Sequence, residues 1–199
     1  MTETEVFVLA DRALNNVVAQ IRDHQWDMDM PPDFVMRQTD HAPTLREIIN
    51  YHAYDDAWVP DMLAGRTMDE VGRNSHQGDL LDGDPKANFA AIVERACAAA
   101  EELDDLDRAV HTSFGDFKAR EYLWQANYFR GLRAHDLAKV IGVNAVLPDR
   151  LVEGLWEQLS PHAEEWRAIG VFLPAVPVSE DAPLLDRLLG LTGRDPGLR

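Results

Sequence analysis

From Lys118 to Ile141 apolar residues recur at helical spacing longer than anywhere else in the chain, and Gly142 closes the run where a left-handed residue ends a helix. A helix striped in this way has to bury its apolar face against neighbours. Three other segments can supply them. Phe7, Ala10, Leu14, Val17, Val18 and Ile21 form one stripe, with Asp11, Arg12, Asn15, Asn16 and Arg22 falling off it, and that helix ends near His24. Thr44 and Glu47 have the spacing of a capping box, in which each side chain serves the other's backbone amide, and open a helix running through Leu63 with Gly65 as its stop. Asp84 and Pro85 open another, whose inner face is Phe89, Ile92, Val93, Ala96 and Cys97.

The expected fold class is therefore all-α, a four-helix bundle with a helical and extended C-terminal cover. It forms one domain over 1–199, with the bundle core in 1–145 and the extension in 146–199. Between the first two helices, Gln25 to Pro43 reads as a long connection, because prolines disfavour helical geometry in the residue before them. Thr67 to Glu70 repeats the box pattern for one short turn, and 72–85 is loop. The alternation in 110–117 predicts an extended loop or small hairpin. Pro148 starts a fifth helix through Leu159, Pro161 a short sixth, and Pro183 a last one to Leu191. Pro174 and Pro177 make the apolar segment 170–178 an extended strap rather than a strand inside a sheet.

A chain of 199 residues with 46% apolar content can build a real core. Its formal charge of −16 repels phosphate backbones and anionic lipid, which argues against nucleic acid or membrane as partners. The lone Cys97 allows no intrachain disulfide, the N-terminus has no basic start of a secretory signal, and charges interrupt every apolar stretch. A cytoplasmic location is expected.

The chemistry-bearing residues concentrate on two helices. His52 and Asp56 lie four apart on the stripe of Leu45, Ile48, Ile49 and Val59, beside a second stripe of Tyr51, Asp55, Trp58 and Met62. With His135 they would offer a metal three ligands; the plainer reading of His52 is a hydrogen-bonded structural residue. Phe129, Arg133, Leu137 and Val140 share a stripe, which would turn the Arg133 guanidinium inward. A buried arginine needs a partner, and Asp55 or Asp56 is the candidate; alternatively Arg133 lies along the surface. The carboxylates of 78–85 read as helix caps, and His111 near Ser113 and Asp116 resembles a triad only by composition. There is no nucleophile elbow, phosphate loop or paired CxxC motif.

Several stretches carry a resemblance: 57–72 (AWVPDMLAGRTMDEVG), 111–125 (HTSFGDFKAREYLWQ), 135–142 (HDLAKVIG) and the C-terminal 170–196. They resemble the DinB-like superfamily, in particular an actinobacterial branch of mycothiol-dependent maleylpyruvate isomerase-like proteins. The resemblance implies a bundle holding one divalent metal through a histidine on the second helix and an acidic residue and a histidine four apart on a later one. It also implies thiol-dependent transfer or isomerisation, and often dimers. At the matching positions stand Tyr51, Phe129 and Arg133, two aromatics and a fixed cation.

Two readings follow. In the first, the protein has no metal or other cofactor, and its inter-helix cavity binds a small organic molecule through Tyr51, His52, Asp55, Phe129 and Arg133, or it serves as a homodimeric scaffold. In the second it is a transferase or isomerase with mycothiol as cosubstrate and zinc or nickel in a site rebuilt on His52 and His135. Whether it is an enzyme stays open between them.

Overall fold

Three threonines begin helices in the same way. Thr2, Thr44 and Thr67 accept bonds from the amides of Glu5, Glu47 and Glu70, and each glutamate reaches back to its threonine's amide, so the free N–H groups of a first turn are used. They open α1 (Glu3–Val18), α2 (Leu45–Leu63) and the single turn α3 (Met68–Val71). Asp84 caps α4 (Pro85–Glu101) by accepting from the Ala87 amide. These elements belong to a computed structural model that describes residues 1–32, 34 and 41–197. The expected connection Gln25 to Pro43 lies partly outside the described residues.

Among the described residues the protein is mostly helical, with one two-stranded sheet. Helix α4 packs on both α1 and α2, and α1 also packs on α5 (Ala119–Arg130) and α6 (Arg133–Ile141). Phe7, Leu14, Ile49, Phe89 and Leu123 are fully buried where these helices meet. Strands β1 (Ala109–Thr112) and β2 (Gly115–Lys118) form the small hairpin, antiparallel with His111 opposite Asp116.

The mostly helical fold agrees with the all-α expectation, and the hairpin stands where the alternation in 110–117 predicted an extended loop or small hairpin. Helix α1 stops earlier than its stripe suggested, at Val18: amides of Gln20 and Ile21 bond three residues back and tighten the end, while Ile21 stays buried. Gln25, in the 3₁₀ turn Asp23–Gln25, donates its side-chain amide to the Ile141 carbonyl at 2.9 Å and so caps the last turn of α6. Asp11, expected on the polar face, is completely buried.

The larger correction concerns the long fourth helix, which breaks at Gly131 and Leu132. A side chain at Gly131 would collide with Leu155 of α7 (Asp149–Leu159), so glycine lets α7 approach closely. Leu132 adopts φ −107°, ψ 4°, outside helical geometry, before α6 resumes. The i, i+4 relation from Phe129 to Arg133 is thereby lost.

After α7 come a turn, Ser160–His162, then α8 (Ala163–Ala168) and α9 (Leu184–Leu191). The segment 170–178 has no strand, in keeping with its prolines, and the Val176 amide bonds to the Gly190 carbonyl at 2.9 Å. Tyr128 of α5 stacks on Trp166 with centroids 4.1 Å apart and packs on Phe172 at 4.7 Å, fastening this cover over α5. Among the described residues no helix is long and apolar enough to cross a membrane.

Candidate functional site

Between α2, the α5–α6 break and the C-terminal cover lies a cavity of about 1150 Å³. Tyr51, His52 and Asp55 face it from α2, Phe129 from α5 and Arg133 from α6. Apolar body comes from Trp58, Met62, Tyr128 and Phe172. Tyr51 and Phe129 are 39% and 57% exposed, so they stand at the mouth, whereas His52 at 3% is in the wall.

At the inner part of that wall Arg130, itself lining the cavity, meets three acids. Arg130 forms a close ion pair with Asp56, and lies 3.6 Å from Asp11 and 3.8 Å from Asp55. Its guanidinium also sits 5.7 Å from the Phe7 ring centroid. Asp11 and Asp56 are fully buried, and removal from water disfavours their charged forms unless a cation is close. Burial pushes the Asp11 carboxyl up to about 6 against the opposing pull of Arg130. Burial raises Asp55 as well, again opposed by Arg130. The cluster joins α1, α2 and α5 at one point.

Arg133 does not make the expected pair with Asp55 or Asp56. Arg130, three residues earlier and on the far side of the break, occupies that position. Arg133 instead lies 3.8 Å from Asp136 and over the Phe34 ring at 5.1 Å from its centroid. Asp136 is mainly committed elsewhere, since Arg194 grips both its oxygens, at 2.7 and 2.8 Å. Burial alone would raise the Asp136 carboxyl, but Arg194 overrides it and the pKa is lowered. Burial lowers that of Arg133, with Asp136 opposing. The Arg133 Nε is buried with no hydrogen-bond partner.

Nor is His52 the hydrogen-bonded structural histidine of the plainer reading: both ring nitrogens are buried and without a partner. Burial, then Arg133 and Arg130, hold its pKa well below the usual histidine range, so the ring is neutral at pH 7.

The residues at the resembling ligand positions do not fit a metal. A phenol half open to solvent, a phenylalanine and a guanidinium provide no set of open donors for a divalent ion. His135 does line the same cavity as His52. Among the described residues, however, no three histidine, cysteine or acidic side chains are grouped so as to hold a metal ion, and Asp56 faces Arg130 instead.

The other motifs have local explanations. Asp79 accepts from Arg46 at 2.9 Å and from the Leu81 amide at 3.0 Å, and Asp84 caps α4. His111 and Asp116 pair across the hairpin at 2.7 Å.

Sequence reasoning missed Asp11, Arg130, Asp136 and Arg194. Asp11 did carry a signal: it lies four residues after Phe7 and three before Leu14, inside the apolar arc. Arg130 carried one too, lying seven residues after Leu123 and seven before Leu137 on one face of a continuous helix, whereas Arg194 sits in what reads as a polar tail. The chain matches no family model, no curated protein and no solved structure.

Proposed function

We propose that the protein is a divergent DinB-like four-helix bundle, of the mycothiol-dependent maleylpyruvate isomerase-like kind, whose inter-helix cavity binds a small organic molecule with no metal at the family's ligand positions. One observation carries this reading: Tyr51, His52, Asp55, Phe129 and Arg133 all border the same cavity of about 1150 Å³. Small-molecule sites typically occupy roughly 300–1,000 Å³, mostly apolar with a few convergent polar groups. Here the apolar part combines aromatic with aliphatic side chains, and the polar part includes a neutral imidazole with two unengaged nitrogens. This reading takes α1, α2, α4 and the broken α5–α6 pair as the four helices of the bundle. Arg130 supports the absence of a metal from this reading, because a permanent cation already neutralises the nearest interior acids.

The test uses a neutral fluorophore, N-phenyl-1-naphthylamine, whose emission rises in an apolar site. Saturable binding to the wild type is expected, with loss in Ala126→Phe, which fills the wall at a partly buried lining position. Circular dichroism of the variant checks that it is folded. Unsaturable emission, or emission unchanged by Ala126→Phe, would contradict the cavity as the binding place.

A further inference from the structure

The polar groups of the cavity wall are not distributed evenly, and their imbalance specifies a ligand class. On a chain with formal charge −16, cations facing a cavity are notable where acids do not cancel them. Arg133 and Arg194 share a single carboxylate, Asp136, and Arg194 makes both short bonds to it. Arg133 is left with a 3.8 Å contact, a ring beneath it and an Nε with no acceptor, although its side chain is only 11% exposed. An under-coordinated guanidinium in so dry a position is costly unless something else supplies acceptor oxygens.

His52 borders the same cavity, 3% exposed, with neither nitrogen engaged. A neutral imidazole can donate one N–H without adding a charge. Tyr51 and Phe129 border the mouth beside these groups.

We infer that Arg133 and His52 form the anion-binding end of the cavity and take the carboxylate of an aromatic carboxylic acid. A guanidinium edge matches the two coplanar oxygens of a carboxylate, and the ligand's ring lies against Tyr51, Phe129 and Trp58. The inference deepens the cavity reading above and rests on it.

The experiment compares 2-naphthoate with 2-naphthamide, the same ring system with and without charge, by isothermal titration calorimetry. The wild type binds the acid at least about 10-fold tighter than the amide, since a hydrogen bond to a charged group is worth about that factor or more. Arg133→Gln removes most of the preference, Arg133→Lys keeps part of it, and His52→Phe reduces acid binding more than amide binding. Equal binding of acid and amide by the wild type overturns the anion subsite while leaving the cavity reading intact, and needs no variant that must fold. An acid preference that survives Arg133→Gln in folded protein overturns the assignment to Arg133. Failure of both compounds and of the neutral fluorophore to bind removes the cavity reading itself.

Discussion

Arg130 on α5 and Asp56 on α2 form an ion pair with side chains 5% and 0% exposed. The contact is made inside the protein, within reach of a second fully buried acid, Asp11 on α1. Three helices therefore depend on one guanidinium for electrostatic compensation.

Arg130→Ala strands two carboxylates in the interior, and breaking a buried pair by removing one partner costs about 3–5 kcal/mol. Arg133→Ala, whose remaining contacts are a loose pair and a ring, costs well under half of that in urea unfolding. Equal losses would mean that the two arginines have been assigned the wrong weights.

The Asp11 carboxyl, raised by burial from its ordinary 3.8 to about 6, holds a proton in the folded state over a range where the unfolded chain has released it. Stability from this group therefore falls as pH rises between those values, and the cost is fully present above the higher one. Asp55, also raised, acts with the same sign. His52 acts oppositely: its lowered pKa means that the unfolded ring takes up a proton first, withdrawing stability as pH falls below about 6.5. Subtracting Asp11→Asn isolates the first effect. The wild type gains relative to this variant as pH is lowered from about 7 to about 4, and a flat difference in unfolding free energy would count against the burial of a titrating Asp11.

Cys97 is fully buried, and burial pushes its thiol up to about 12. Alkylation by iodoacetamide at pH 8 is expected to be negligible in the native protein and rapid in urea, because only the thiolate reacts. Mass spectrometry reads the modified fraction directly, and fast native labelling would place the sulfur elsewhere.

Gly131→Ala forces a methyl group onto Leu155 and toward the Asn127 carbonyl. Overpacking of this kind costs about 1–3 kcal/mol. A stabilised variant, as helix propensity alone would suggest, would show that the α5–α6 break is not held by the approach of α7.

Caps and stripes were legible in the sequence because they are local: Thr44 with Glu47, Asp84 with Pro85 and Gly142 each meet a backbone need of their own helix. Tyr51, His52, Asp55, Phe129 and Arg133, singled out in the sequence, border one space. What local pattern did not reveal was the break at Gly131, where Leu155 of another helix approaches closely. Because one residue is about 100° of helix, a break there turns the side chains that follow it, which takes Arg133 off the stripe of Phe129, whereas Arg130 precedes the break and pairs with Asp56. Asp136 with Arg194 could not be found by spacing at all, being joined only by the return of the C-terminal cover.

The central claim is that an organic cation, Arg130, neutralises the interior acids and leaves His52 free in a cavity for an organic ligand. Calorimetric titration of tag-free protein with zinc and nickel, alongside elemental analysis of the same preparation, addresses it most directly. The account predicts no stoichiometric metal and no saturable heat; one bound ion per chain, lost in His52→Ala, would contradict it.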